Sequence, residues 1–217
     1  PAIDCVDREP NILRAEIVAA LRSLKNGKAP GPDLISAEIL KVLGDNGITA
    51  LHSICNKVWA DGVWPSDWTR SIILPLHKKG STKQCDNYRT LALISHASKI
   101  LLYILNNRIR YYLDQQIPQE QAGFVKGRGT REQILNVRQL IEKGREYNVP
   151  FIMCFIDYSK AFDCVNWSSL WKVLNVLGVP NHLIVLVQSL YIYSQGVVRI
   201  DEAVSQPFCF GKGVRQG

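Results

Sequence analysis

Apolar positions recur along this chain at changing periods, and the periods predict where helices give way to strands. From Ile12 to Leu24, Leu13, Ile17, Ala20, Leu21 and Leu24 share one face at helical spacing, with Asn26-Gly27 as the stop. Further helices are expected from about Ala37 to Leu43 and Thr49 to Trp59, ended by Gly44 and Gly62. Ser71 to Leu76 has the β-branched content of a strand, and Pro75 marks an edge or bulge. Ile100, Leu101, Ile104, Leu105, Ile109 and Leu113 form the apolar stripe of a long helix. Thr130 with Gln133 reads as a capping box for a helix through about Gly144. Helices over Trp167 to Leu177, stopped by Gly178, and His182 to Tyr193 follow. Gly196 to Ile200 and Ser205 to Phe210, joined through Asp201-Glu202, read as a hairpin.

One run has no alternation at all. Phe151 to Ile156 is wholly apolar, which suits a strand covered on both faces, with Cys154 packed in it as a small hydrophobe. Asp157 then stands at the exposed end of that strand, where Tyr158-Ser159-Lys160 begins a polar turn. A strand-end aspartate alone serves equally well as a helix cap or turn residue.

Three segments are loops by their composition. Lys28-Ala29-Pro30-Gly31-Pro32-Asp33 is closed to helix and strand by its prolines and glycine, His77-Lys78-Lys79-Gly80 is a basic loop after a strand, and Gly123 to Gly129 is flexible and basic. The last of these is a place where a phosphate could sit.

Composition narrows the function classes. The 217 residues, 47% of them hydrophobic, support a sizeable core, and no run reaches the length of a membrane span, so a soluble chain without membrane attachment is expected. Lys and Arg exceed Asp and Glu by 26 to 19, a formal +7 that favours a polyanionic partner. The six cysteines form no C-x-x-C pair, which removes a zinc ribbon or redox motif and reads as reduced thiols of an intracellular protein. The chain opens on Pro and closes on Gly213-Val214-Arg215-Gln216-Gly217, and is read as a fragment.

Nucleotide polymerisation needs carboxylates that bind divalent cations, and Lys or Arg to hold a triphosphate. Asp157 and the loop cations Lys78, Lys79, Arg89, Lys126 and Arg128 supply those types, although each cation taken alone reads first as solvated surface and gains meaning only from the ensemble. A haloacid-dehalogenase type of nucleophile would want a second Asp two residues after Asp157, where Ser159 stands.

Six blocks carry a resemblance: Lys28 to Asp33; Leu74-Pro75-Leu76-His77-Lys78-Lys79-Gly80; Asn87-Tyr88-Arg89; Gln121-Ala122-Gly123-Phe124 with Gly127-Arg128-Gly129-Thr130; Phe155 to Asp163; and Gly213 to Gly217. In this order they resemble the reverse transcriptase domain of a non-long-terminal-repeat (LINE-type) retrotransposon, whose reading frame also encodes an endonuclease. The resemblance implies an α/β (α+β) right-hand polymerase: a helical extension over 1–68, fingers over 69–149, and over 150–217 a partial palm whose antiparallel sheet carries Asp157. It implies Asp157 as a metal carboxylate and catalytic residue, the Tyr158 carbonyl as a neighbouring ligand, and two magnesium ions. It makes Phe162 the aromatic gate that excludes a 2′-hydroxyl, sets Lys78 and Arg89 on the incoming triphosphate, and sets Gln216 against the sugar and templating region. Lys126 and Arg128 are expected on nucleic acid. The implied partners are template RNA, DNA primer or target, and deoxynucleoside triphosphates, with a mainly nuclear location and a cytoplasmic ribonucleoprotein phase. Oligomeric state stays open.

Departures from the family pattern are informative. The chain ends before the paired Asp-Asp hairpin, so the expected site is incomplete and no polymerase activity is expected from these residues alone. Leu34 stands where the family usually has Gly, and Thr90-Leu91-Ala92 where it has Pro-Ile-Ser. A non-catalytic nucleic-acid-binding remnant is therefore the alternative, while a group II intron maturase fits the Lys28 and Asp157 blocks less well.

Overall fold

The computed structural model describes residues 8–215. They form two compact units: one takes in the described residues up to Leu113 and from Lys160 onward, and the other spans Asp114–Ser159.

The first unit opens with α1 (Arg14–Ser23), α2 (Ala37–Lys41), α3 (Asp45–Asp61) and α4 (Ser66–Thr69). Ile17, Ala20 and Leu21 of α1 are buried as the spacing predicts, but Leu13 is exposed: the helix starts one residue later, and the Leu13 N–H donates to Glu16 Oε2 at 2.8 Å. Gly44 is the N-cap of α3 rather than a stop, whereas Gly62 ends α3 in the left-handed region at φ 68°, as expected. α5 (His96–Leu113) buries Ile100, Leu101, Ile104 and Leu105 in the core and packs on α1 and α2. α7 (Trp167–Val176) and α8 (Asn181–Ile192) close the core with Leu174, Leu183, Leu186 and Leu190. Buried His182 donates its Nε2–H to the Trp59 carbonyl, 2.8 Å away, which joins α8 to α3.

Beside this helical core lies a five-stranded sheet of β1 (Arg70–His77), β2 (Tyr88–Leu93), β3 (Gln195–Ile200), β4 (Ala203–Val204) and β5 (Phe208–Cys209). β1 pairs with β2 antiparallel and with β3 parallel, and β4 and β5 both pair with β3 antiparallel. The sheet is thus mixed: β3, β4 and β5, the strands of the segment expected to be antiparallel, pair that way, and β1 joins β3 in parallel. Pro75 explains itself within it. Its pairing with β2 continues opposite Thr90, but the parallel pairing with β3 stops at Ile73, so the missing N–H falls on an open side of the strand. The expected hairpin after Gly196 is present, although its return strand is broken by Ser205-Gln206-Pro207 into β4 and β5.

The second unit contains α6 (Thr130–Glu146). Its start is capped by Glu132, whose Oε2 accepts the Gly129 N–H at 3.0 Å, in place of the expected Thr130 and Gln133 pair. The expected buried strand over 151–157 does not form: none of the five strands includes it, Ile152 is 99% exposed, and Cys154 is exposed as well. Nor, therefore, does Asp157 sit in an antiparallel sheet. The physical reason is that an apolar run becomes a strand only when a neighbour satisfies its backbone N–H and C=O groups.

Candidate nucleotide and nucleic-acid site

The β1–β2 hairpin sets the first cations. Its ladder runs past the strand ends, since the Lys78 N–H donates to the Asn87 carbonyl at 2.8 Å, while Leu76 lies opposite Arg89. Lys78 and Arg89 are therefore diagonal neighbours on one face of the ribbon, close enough for both to reach one polyanion. The turn between them is tied to itself: Asn87 Nδ2 donates to the Ser81 carbonyl at 2.8 Å and the Tyr88 hydroxyl to the Thr82 carbonyl at 3.0 Å. Both cations are exposed.

The hairpin is fastened to the turn that carries Phe162. Lys160 Nζ meets Asp86 Oδ1 at 2.6 Å, and this hydrogen bond raises the lysine pKa and lowers that of the aspartate. Lys160 itself is left-handed at φ 50°, which turns the chain into a single 3-10 turn over Ala161–Cys164. The third block then lies alongside. The Phe162 carbonyl accepts the Val214 N–H at 2.9 Å, the Val165 carbonyl accepts the Gly213 N–H at 2.8 Å, and Trp167 Nε1 donates to the Gly213 carbonyl at 2.7 Å. Gly213 is required twice over, because its φ is 83° and a Cβ there would lie 2.7 Å from the Asp163 carbonyl oxygen.

Arg215 completes the connection back to β1, its guanidinium donating to Ser71 Oγ at 3.0 Å. It borders a cavity of about 300 Å³ shared with Ile73, Thr90, Tyr191, Phe210 and Val214. Burial lowers the Arg215 pKa and raises that of the Tyr191 phenol, and the pair partly offset one another.

Asp157 and Tyr158 belong to the second unit and are exposed. Among the described residues there is no group of three or more His, Cys, Asp or Glu side chains able to hold a metal ion. Asp157 alone does not fit a divalent cation that takes about six oxygen ligands, most of them fixed. Lys126 is exposed, while Arg128 directs Nη1 at the carbonyls of Pro118, Gln119 and Gln121. Gln216 lies outside the described residues. Sequence reasoning missed the Lys160–Asp86 pair, which meets across 74 positions with no periodic signal.

Lys78 and Arg89 thus share one face of a hairpin that the Lys160–Asp86 pair ties to the turn bearing Phe162. Residues 76–217 match the family model described as reverse transcriptase (RNA-dependent DNA polymerase), and the chain belongs to that family. Its relatives include the transposon TX1 uncharacterized 149 kDa protein of Xenopus laevis, 26% identical over 96% of this chain and 16% of that protein. The probable RNA-directed DNA polymerase from transposon BS and the RNA-directed DNA polymerase from mobile element jockey, both of Drosophila melanogaster, are each 30% identical over 93% of this chain and 22% of their own length. The resemblance to reverse transcriptases of non-long-terminal-repeat retrotransposons is borne out, and the chain spans about a fifth of the length of these relatives.

Proposed function

We propose that this chain forms the nucleotide-gripping part of an RNA-directed DNA polymerase, in which a primer 3′-hydroxyl attacks the α-phosphate of a deoxynucleoside triphosphate and pyrophosphate leaves. The observation that carries this reading is the joining of three separate blocks, the β1–β2 hairpin, the Phe162 turn and Gly213-Val214, by the Lys160–Asp86 pair and two backbone hydrogen bonds. Lys78 and Arg89 hold the β- and γ-phosphates through charge-assisted hydrogen bonds, which are stronger than neutral ones and orient the leaving group. Phe162 presents its ring to the sugar and excludes a 2′-hydroxyl, and Gln216 meets the same sugar. Asp157 and the Tyr158 carbonyl contribute to the divalent-metal site, with magnesium as the expected ion, and the remaining carboxylates come from outside the described residues. The hairpin corresponds to fingers and the 160–215 segment to the start of a palm. RNA template and DNA primer are the partners.

Discrimination between deoxy- and ribonucleotides tests this reading. In RNA-templated primer extension by the chain continued through the codons that follow it, Phe162→Val should raise ribonucleotide incorporation while leaving deoxynucleotide use. Equal discrimination in the variant would remove Phe162 from the site. A second reading, a non-catalytic nucleic-acid-binding remnant, predicts binding of RNA without extension by either version.

A further inference from the structure

The cavity that Arg215 borders lies on the opposite face of the sheet from the candidate phosphate cations. Side chains alternate between the two faces along a strand. Ile73, which stands opposite both Ala92 and Val198, lines the cavity with them and with Thr90. Leu76 stands opposite Arg89, which sets Arg89 on the other face, and Lys78 with it. All the lining residues belong to the first unit. Part of the wall is preformed. Phe208 and Phe210 meet edge to face with ring centres 5.2 Å apart, against Gly196, where a Cβ would fall 2.9 and 2.7 Å from the two rings. Trp167 and Tyr191, also on the lining, make a second edge-to-face pair at 5.3 Å.

Arg215 uses only part of its guanidinium inside the protein. Nη1 donates to Ser71 Oγ at 3.0 Å and to the Thr69 carbonyl at 3.5 Å. Among the described residues, Nε and Nη2 meet no acceptor and no carboxylate forms an ion pair with the group. Nε and Nη2 are the parallel donors that fit the two oxygens of one carboxylate. The same fork of Arg108 grips both oxygens of Glu16, at 3.0 and 2.8 Å. Lys212 and Asp163 also border the cavity, so two cations face one acid there. Aromatic walls favour an aromatic body, and a partly buried cation with spare donors favours an anionic group. We propose that this cavity is a small-molecule site for a planar aromatic carboxylate, its carboxylate on Nε and Nη2 of Arg215 and its rings among Phe208, Phe210 and Val198. At about 300 Å³ the space is at the small end of ligand pockets, which suits a ligand of one or two rings. The site is separate from the face that carries Lys78 and Arg89 and does not depend on the copying function.

The test is isothermal titration of the 217-residue chain, without nucleotide or nucleic acid, using three probes of like shape: indole-3-acetate, neutral indole and cationic tryptamine. Indole-3-acetate should bind about 10- to 150-fold more tightly than indole, the equivalent of one charge-assisted hydrogen bond, and tryptamine most weakly. Saturating indole-3-acetate should raise the melting temperature, as a ligand of the folded state does. Arg215→Met should bring indole-3-acetate down to the level of indole. Thr90→Trp, at an exposed position on the rim, fills the space and should lose both probes while keeping a cooperative melt. This variant decides the matter should Arg215→Met fail to fold. Excess dATP should not displace indole-3-acetate. Equal binding of the three probes, a preference for tryptamine, full binding by Thr90→Trp, displacement by dATP, or no binding of indole-3-acetate by the wild-type chain would each overturn the site. None of these outcomes bears on the polymerase reading, which primer extension tests.

Discussion

Arg108 of α5 is the most consequential single charge in the first unit. Its Nε and Nη2 grip Glu16 at 3.0 and 2.8 Å, Nη1 reaches Glu9 at 3.3 Å, and the same two terminal nitrogens donate to the Pro10 and Asn11 carbonyls at 2.6 and 3.1 Å. The guanidinium also lies 4.7 Å from the Trp59 ring centre. Arg108→Met keeps the apolar stem over Trp59 but removes the charge, leaving two carboxylates and two carbonyls without their donor. Loss of one partner from a buried pair costs about 3–5 kcal/mol. With side chains 14% and 29% exposed for Arg108 and Glu16, the lower end applies, about 3 kcal/mol. For a chain of this size that is a fall in Tm of about 6–12 °C. Circular dichroism melts and urea titrations measure it. The pH dependence follows from Glu16: burial pushes its pKa up, but the hydrogen bonds from Arg108 and the Leu13 N–H, with the charge of Arg108, together outweigh it, so the carboxyl titrates below its ordinary value. A depressed folded-state pKa contributes stability that is present at neutral pH and lost as pH falls through that value. Arg108→Met should therefore show a flatter acid limb than wild type. A loss under about 1 kcal/mol, or an unchanged acid limb, would refute the assignment of Arg108 as the fastening of residues 9–16 to α5.

Other outcomes are expected from particular contacts. Tyr112, pushed up to about 12 chiefly by its hydrogen bond to Glu9, contributes stability that is complete below its ordinary value of 10.0 and lost as pH rises toward about 12, so the alkaline limb of a Tyr112→Phe variant should be flatter in a pH-dependent melt. Gly31→Ala places a Cβ 2.4 Å from the Ile94 carbonyl carbon and the Ser95 nitrogen, both backbone atoms, and should abolish cooperative melting followed by circular dichroism. Lys78→Ala and Arg89→Ala should each weaken deoxynucleoside triphosphate binding, read by isothermal titration, by about 10- to 150-fold, the equivalent of one charge-assisted hydrogen bond. A thiol-reactive dye should label exposed Cys85, Cys154, Cys164 and Cys209 in the folded chain but spare Cys55, whose thiol burial pushes up to about 12. Rapid labelling of Cys154 would confirm that the 151–157 run is not a buried strand.

Helix positions were largely legible because their apolar spacing is local: α5, α7 and α8 fall where the stripes put them, and α3 ends at its expected Gly62 stop but starts at Asp45, ahead of the expected Thr49. Leu34 shows how a departure can be read as well, since its φ of 57° accounts for the glycine usual at that place in the family. The 151–157 run misled because strand formation depends on neighbours that its own residues do not encode. Gly44 misled because glycine also occurs at N-caps, though less often than as a stop. In the candidate site, Lys78 and Arg89 were visible as motif cations, but their common face depends on the β1–β2 register. The Lys160–Asp86 pair was invisible, because nothing in the spacing of two charged residues so far apart says that they meet.

The central claim is that this chain belongs to a working polymerase, and primer extension on an RNA template with magnesium tests it most directly. The chain, the chain continued through the codons that follow it, and the latter with Asp157→Ala should be compared side by side. The account predicts deoxynucleotide extension by the longer version and its loss in Asp157→Ala with RNA binding retained. Binding of template by a folded longer version that never extends the primer would contradict it.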